Sequence, residues 1–224
     1  MTDTIPAAAE PDAEVPSRIL RFDRTERWLH AANAVLVLFL LATGSILYIG
    51  PLSTLVGRRD LVKDLHVWAG LALVVPVLLA AAGPWRRGLQ RDAERLGTWY
   101  RSDTAWIRSR GRSSSLRLGK FNAGQKLNAL FVAGALPVLL LTGLILKWFE
   151  PFPDFVRTGA TFVHDWTYVA LGLVVIGHIG KALAEPVLLR SMVTGFVPGR
   201  WARRHRPAWY DEVVGTERSD HGLQ

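Results

Sequence analysis

The chain has 224 residues, half of them hydrophobic, a formal charge of +8 from 27 Lys and Arg against 19 Asp and Glu, and no cysteine. The absence of cysteine excludes disulfides, Cys-ligated zinc and iron–sulfur clusters held by this chain. The positive charge would admit a nucleic-acid partner, so its placement along the elements has to decide.

Residues 1–17, MTDTIPAAAEPDAEVPS, are Ala/Pro-rich and acidic without an apolar run, which reads as a disordered tail and not as a cleavable signal. Four apolar runs follow, with spans expected at about 28–49, 65–85, 126–147 and 162–184. A helix rising ~1.5 Å per residue needs about 20 apolar residues to cross a ~30 Å hydrocarbon layer, and each run is long enough. Asp165 is the only acid among the four apolar runs. Pro76 and Pro137 fall inside spans two and three, where neighbouring helices can satisfy the freed backbone groups. Between spans two and three, Arg86 to Arg108 mixes Leu89, Leu96, Trp99, Trp106 and Ile107 with arginines, the pattern of a helix lying at the membrane interface. Gly111 to Ser115 reads as a flexible turn before the segment GKFNAGQK, Gly119 to Lys126. After the fourth span, Val197 to Tyr210 carries Trp201, Trp209 and Tyr210 among arginines, again interfacial, and 211–224 is a polar tail. The expected fold is therefore all-α, a transmembrane four-helix bundle over 18–210.

Basic residues are unevenly divided between the two sides of this bundle. Twenty-one Lys/Arg fall in Arg18–Arg27, the middle loop and Lys181–Arg206, against five in the loops 50–64 and 147–165. The positive-inside rule then puts both termini and the middle loop in the cytoplasm. Basic residues flanking spans need no nucleic-acid partner.

Two hairpins within the bundle resemble each other. Spans one and three end in Thr43-Gly44 and Thr142-Gly143, while spans two and four begin with His66-Val67-Trp68 and His164-Asp165-Trp166. A duplicated unit related by an axis along the membrane normal would bring His66 and His164 face to face at the outer ends of their helices.

Of six histidines, His30, His66, His164 and His178 fall within spans, whereas His205 and His221 lie in polar segments. Polar ring systems at membrane depth are expensive and mark a ligand or a pathway. His164 and His178 are 14 residues apart, about 40° in direction and ~21 Å in height on one helix, so they share a face near opposite surfaces. Each has one counterpart at its own depth, His164 with His66 and His178 with His30. Two axial imidazoles per iron make six-coordinate low-spin haem, suited to electron transfer. Gly44, Gly143, Gly172 and Gly177 offer small surfaces, either for a flat macrocycle or for helix packing. A non-haem metal site would instead need histidines and carboxylates gathered at one level.

These residues resemble the gamma subunits of formate dehydrogenases, the di-haem cytochrome b subunits that anchor the complex in the cell inner membrane. The resemblance spans Arg18 to Glu217 and is carried by Arg24-Thr25-Glu26-Arg27-Trp28-Leu29-His30, by GKFNAGQK, by the His164 and His178 pair, and by Gly199 to Tyr210. It implies two haems b, His66 and His164 on an outer one and His30 and His178 on an inner one. It also implies a quinone, menaquinone or ubiquinone, held by Asn122, Gly124 and Gln125 at the cytoplasmic side. For Asn122 taken alone the competing reading is an N-cap of the third span, and the family match favours the quinone role. The implied partners are an iron–sulfur subunit and a molybdenum- or tungsten-containing subunit that oxidises formate, so this chain has no catalytic residue for formate itself. A cytochrome b anchor of another oxidoreductase, such as a nickel–iron hydrogenase, shares the histidine logic, and a haem-free four-span transporter or receptor is the alternative from another class.

Overall fold

The computed structural model describes residues 15–83, 86–112 and 116–221, with side chains up to residue 215. In chain order the elements are β1 (Arg18–Leu20), α1 (Arg24–Tyr48), α2 (Gly50–Val56), α3 (Arg59–Ala72), α4 (Val74–Ala82), α5 (Arg86–Gly97), α6 (Arg101–Arg108), α7 (Ala123–Lys147), α8 (Asp154–Ala184), α9 (Pro186–Thr194), β2 (Phe196–Pro198), α10 (Gly199–His205) and α11 (Pro207–His221). Four helical spans, Arg24–Tyr48, Arg59–Ala82, Ala123–Lys147 and Asp154–Ala184, are long and apolar enough to cross a bilayer. The fold is an all-α transmembrane bundle, and only 6–11% of the most apolar stretch of each span is buried within the chain. Such surfaces suit lipid, a bound group or another subunit.

The helices outrun the apolar runs because polar caps start them in water. Asp23 accepts a hydrogen bond from the Glu26 amide at 2.8 Å, and Glu26 returns one from the Asp23 amide at 2.7 Å, so α1 begins before Trp28. The second span breaks at Leu73, between α3 and α4. Pro76 has no amide hydrogen for the Ala72 carbonyl and its ring crowds that oxygen, which explains the break. Pro137 is absorbed inside α7 without one.

Within the bundle α1 packs most closely on the α3–α4 span and α7 on α8, giving two hairpins side by side, while α1 and α8 touch only sparsely.

The three basic regions meet at one end. β1 pairs antiparallel with β2 in the register Arg18↔Pro198, Ile19↔Val197 and Leu20↔Phe196, a small sheet that the all-α reading of the sequence did not foresee. Ile19, Val197, Ala202 and Trp209 form a core beneath it, and truncating a buried Trp of this kind costs roughly 3–5 kcal/mol. Gly195 closes α9 at φ 90°, and a Cβ there would meet the Phe22 carbonyl oxygen at 2.7 Å, so this turn requires glycine. The interfacial helix expected at Arg86–Arg108 is two helices, α5 and α6, and residues 211–221 of the polar tail are helical within α11. Of the turn expected at Gly111–Ser115, residues 113–115 lie outside the described residues.

Both lysines of GKFNAGQK are buried and paired. Lys120 binds Asp92 and lies 3.5 Å from Glu26, while Lys126 lies 2.6 Å from Asp103 and donates to the Thr98 carbonyl at 2.7 Å. Arg95 extends the network, to Asp92 at 2.9 Å and to Glu212 at 2.5 Å. Burial alone would raise the Asp92 carboxyl. The hydrogen bond shared with Glu26, the charge and hydrogen bond of Lys120 and the hydrogen bond of Arg95 outweigh it and hold Asp92 below its ordinary value. These pairs pin the middle loop to the start of α7.

Candidate functional site

The four span histidines stand in two pairs along α8. His66 of α3 faces His164, with ring centres 6.4 Å apart, and His30 of α1 faces His178 at 6.2 Å. A metal bound to an imidazole nitrogen at about 2.0 Å lies about 3.1 Å from the ring centre, so two imidazoles on opposite sides of one iron have ring centres about 6.3 Å apart. Both pairs match that separation. They sit near opposite ends of α8. Among the described residues no group of three or more His, Asp or Glu side chains gathers at one point, so a clustered non-haem centre has no counterpart there.

The duplicated motif builds the pair remote from the sheet. Thr43 Oγ1 lies 2.8 Å from His66 Nδ1 and Thr142 Oγ1 lies 2.9 Å from His164 Nδ1. Each Thr is followed by Gly, and a Cβ on Gly44 or Gly143 would lie 3.5 Å from the Cε1 of the neighbouring histidine ring. Gly44 also seats Tyr168, whose Cε2 would meet that Cβ at 3.2 Å and whose hydroxyl lies 2.6 Å from Ser45 Oγ. Trp68 and Trp166, two residues after each histidine and so about 200° around the helix, point outward and are exposed, as interfacial tryptophans are. Gly172 makes ordinary packing contact with Leu41, and Gly177 beside His178 has open space in front of it. The sequence singled out the glycines of this motif; the threonines that touch the rings went unassigned, although the same repeat carried them.

His30 and His178 are more exposed than the other pair, and neither ring has a hydrogen-bond partner among the described residues. Beyond His178, α8 continues into the wall of a cavity of ≈ 750 Å³ at the end that carries the sheet. Lys181 and Glu185 line it from α8, facing Trp106, Leu118, Asn122 and Arg206. Lys181 follows His178 by three residues, ~4.5 Å along the axis, so the cavity borders this pair.

Asn122 caps α7. Its carboxamide oxygen accepts from the Gln125 amide at 2.9 Å, and its own amide donates to Gln125 Oε1 at 3.1 Å. The Asn122 NH2 group donates to no acceptor among the described residues, which leaves it available on the cavity wall. Gly124 and Gln125 are not on that wall. Gly124 makes room for Trp106, whose Cη2 would lie 3.0 Å from an added Cβ, and Gln125 holds Asn122 in place. Behind the cavity Arg21 is buried between the rings of Phe22, Trp201 and Trp209 and donates to the Lys120 carbonyl at 2.8 Å. Burial, followed by the neighbouring charge of Arg206, pulls the Arg21 guanidinium down to about 9.

Residues 21–195 match the family of prokaryotic cytochrome b561. Among characterised proteins, the chain is similar to the formate dehydrogenase cytochrome b556(fdo) subunit of Escherichia coli K12, with 27% identity over 88% of this chain and 94% of the relative. It is also similar to the nitrate-inducible formate dehydrogenase cytochrome b556(Fdn) subunit of the same strain, at 24% over 87% and 90%. A third relative, the formate dehydrogenase cytochrome b556 subunit of Haemophilus influenzae, is 24% identical over 88% of this chain and 84% of its own length. The chain belongs to the prokaryotic cytochrome b561 family, and is an integral membrane cytochrome b of electron transport.

Proposed function

We propose that this cytochrome is the membrane subunit of a formate dehydrogenase, taking electrons from an iron–sulfur partner through two bis-histidine haems b to a quinone near the cytoplasmic side. The observation that carries the reading is the pair of ring separations, 6.4 Å and 6.2 Å, at two depths of one helix. His66 and His164 would hold the outer haem, and His30 and His178 the inner one. Held by these four imidazoles, the haems would supply reversible one-electron transfer. The protein's part is to hold the rings in place. The similarity over 87–88% of this chain to three formate dehydrogenase cytochrome b subunits supports the choice of complex, and with it a catalytic molybdenum or tungsten subunit as further partner.

For the quinone, the cavity beside His178 has the size of a small-molecule site and offers the Asn122 NH2 group as a donor to a quinone carbonyl. Gly124 and Gln125 serve it from behind, through Trp106 and through the cap. Its position at the arginine-rich end, which the positive-inside rule makes cytoplasmic, would let protons reach the reduced quinone from that side.

The test is haem content and its response to ligand loss in the intact complex. Pyridine haemochrome analysis should give two haems b per chain, and His66→Ala or His164→Ala should remove the outer one preferentially. A single haem per wild-type chain would overturn the pairing. Formate-dependent reduction of added quinone checks the partner assignment.

A further inference from the structure

Thr43 and Thr142 each have one hydroxyl proton and three neighbours that could take it, two carbonyl oxygens of the preceding turn and one imidazole nitrogen. Thr43 Oγ1 lies 2.9 Å from the Phe39 carbonyl oxygen and 2.8 Å from His66 Nδ1. Thr142 Oγ1 lies 2.7 Å from the Val138 carbonyl oxygen and 2.9 Å from His164 Nδ1. These carbonyl oxygens only accept, and a helical threonine commonly gives its hydroxyl proton to the turn before it. Toward the ring the hydroxyl is then the acceptor, and Nδ1 must carry the hydrogen. In that tautomer Nε2 of both histidines keeps its lone pair and is the nitrogen free to bind iron.

Resting on the di-haem reading above, we propose that Thr43 and Thr142 are positioning residues of the outer pair, which fix ring tautomer and orientation and make the two imidazoles stronger electron donors than those of the inner pair. An acceptor on Nδ1–H pulls that hydrogen away from the ring and raises the basicity of Nε2. A more basic axial ligand favours the ferric state, so the outer haem becomes harder to reduce. His30 and His178 have no such acceptor among the described residues. The contrast biases transfer in one direction: one electron leaves the outer centre, which is oxidised, and enters the inner centre, which is reduced, with no bond made or broken.

The experiment is an optical redox titration of the intact complex carrying Thr43→Val, Thr142→Val, both together, and the Ser counterparts. Valine keeps the shape and removes the hydroxyl, whereas serine keeps the hydroxyl. Each valine should make the outer haem easier to reduce, shifting its oxidised-to-reduced ratio at fixed potential by about five- to tenfold, at most about 59 mV for one electron. The inner haem should not move and serine should restore the wild-type value. The ferric low-spin resonance of the outer haem should also change as its rings gain freedom to turn. If the double valine variant loses the outer haem while keeping the inner one, the single variants decide. Single variants with both haems bound and wild-type outer potential and spectrum would overturn the threonine assignment. Fewer than two haems in the wild type would overturn the di-haem reading itself.

Discussion

Replacing Asn122 by aspartate separates the two uses of that side chain. The cap needs only an oxygen that accepts from the Gln125 amide at 2.9 Å, and aspartate supplies it as well as asparagine. A carboxylate at the start of α7 also meets the positive end of the helix dipole, worth roughly 0.3–1 kcal/mol. Stability should therefore be unchanged or slightly raised. What an ionised aspartate cannot do is donate, and the NH2 group is the part of Asn122 left available on the cavity wall. Loss of one neutral hydrogen bond to a bound quinone costs ~0.5–1.5 kcal/mol, a two- to twelvefold loss of affinity, and an acceptor facing the quinone carbonyl adds to it. The assay is stopped-flow reoxidation of formate-reduced haem by added quinone, alongside a thermal melt of the detergent-solubilised complex. Both haems should still be reduced by formate, and reoxidation at limiting quinone should slow severalfold. Asn122→Ala provides the contrast, since it also loses the cap and should cost about 1 kcal/mol of stability. Normal reoxidation in Asn122→Asp would refute the donor role and leave Asn122 as a cap alone.

Reporter fusions at Arg112 and after Tyr210 should both read cytoplasmic and one at Pro153 external, following the division of twenty-one basic residues against five; the reverse pattern would move the quinone cavity to the other side. Asp92→Asn removes the carboxylate nearest Lys120, whose side chain is only 5% exposed. With Glu26 remaining at 3.5 Å, the loss should sit near the low end of the roughly 3–5 kcal/mol typical of breaking a buried pair, and should show as faster proteolysis of the loop after α6. The folded Asp92 carboxyl is held below its ordinary value, so its contribution is present above the unfolded value, near 4, and disappears as pH falls through the folded one. The difference between wild type and variant should therefore shrink below about pH 4; a pH-independent difference would mean that the charge of Asp92 is not what matters.

The sequence makes the spans, the duplication and the facing histidines legible because each rests on a strong local signal: charge-free runs, a repeated Thr-Gly and His-x-Trp, and two rings 14 residues apart on one helix. The arrangement of the polar end was not legible, because it is made by long-range pairing. Lys120 reaches Asp92 and Arg95 reaches Glu212 across 28 and 117 residues, and no periodicity announces such partners. The sheet likewise joins two three-residue strands from opposite ends of the chain, each too short to show a pattern. For Asn122 the two readings open in the sequence prove compatible in the structure, since the cap occupies the oxygen and leaves the NH2 group.

The duplication also explains why there is one candidate inner site and where it lies. The repeat relates His66 to His164 and Thr43 to Thr142, so the outer pair is its own image, with each hairpin giving one ring and one threonine. The inner pair is not. Stepping His30 forward by the offset between the two Thr-Gly motifs reaches Ala129, and stepping His178 back by the offset between His164 and His66 reaches Ala80. Neither alanine can bind a metal, and Ala80 is buried against its neighbours. The symmetric molecule would have two places for a pair at this depth, and histidines occupy only one. That one uses the end of α8 that leads through Lys181 and Glu185 to the cavity holding Asn122. On the proposed route an electron arriving at the outer pair would thus meet a single inner site with the cavity beside it. The middle loop, the buried lysines of GKFNAGQK and the sheet belong to that end alone. The repeat accounts for the symmetric pair, and the segments outside the repeat build the cavity at which the proposed path ends.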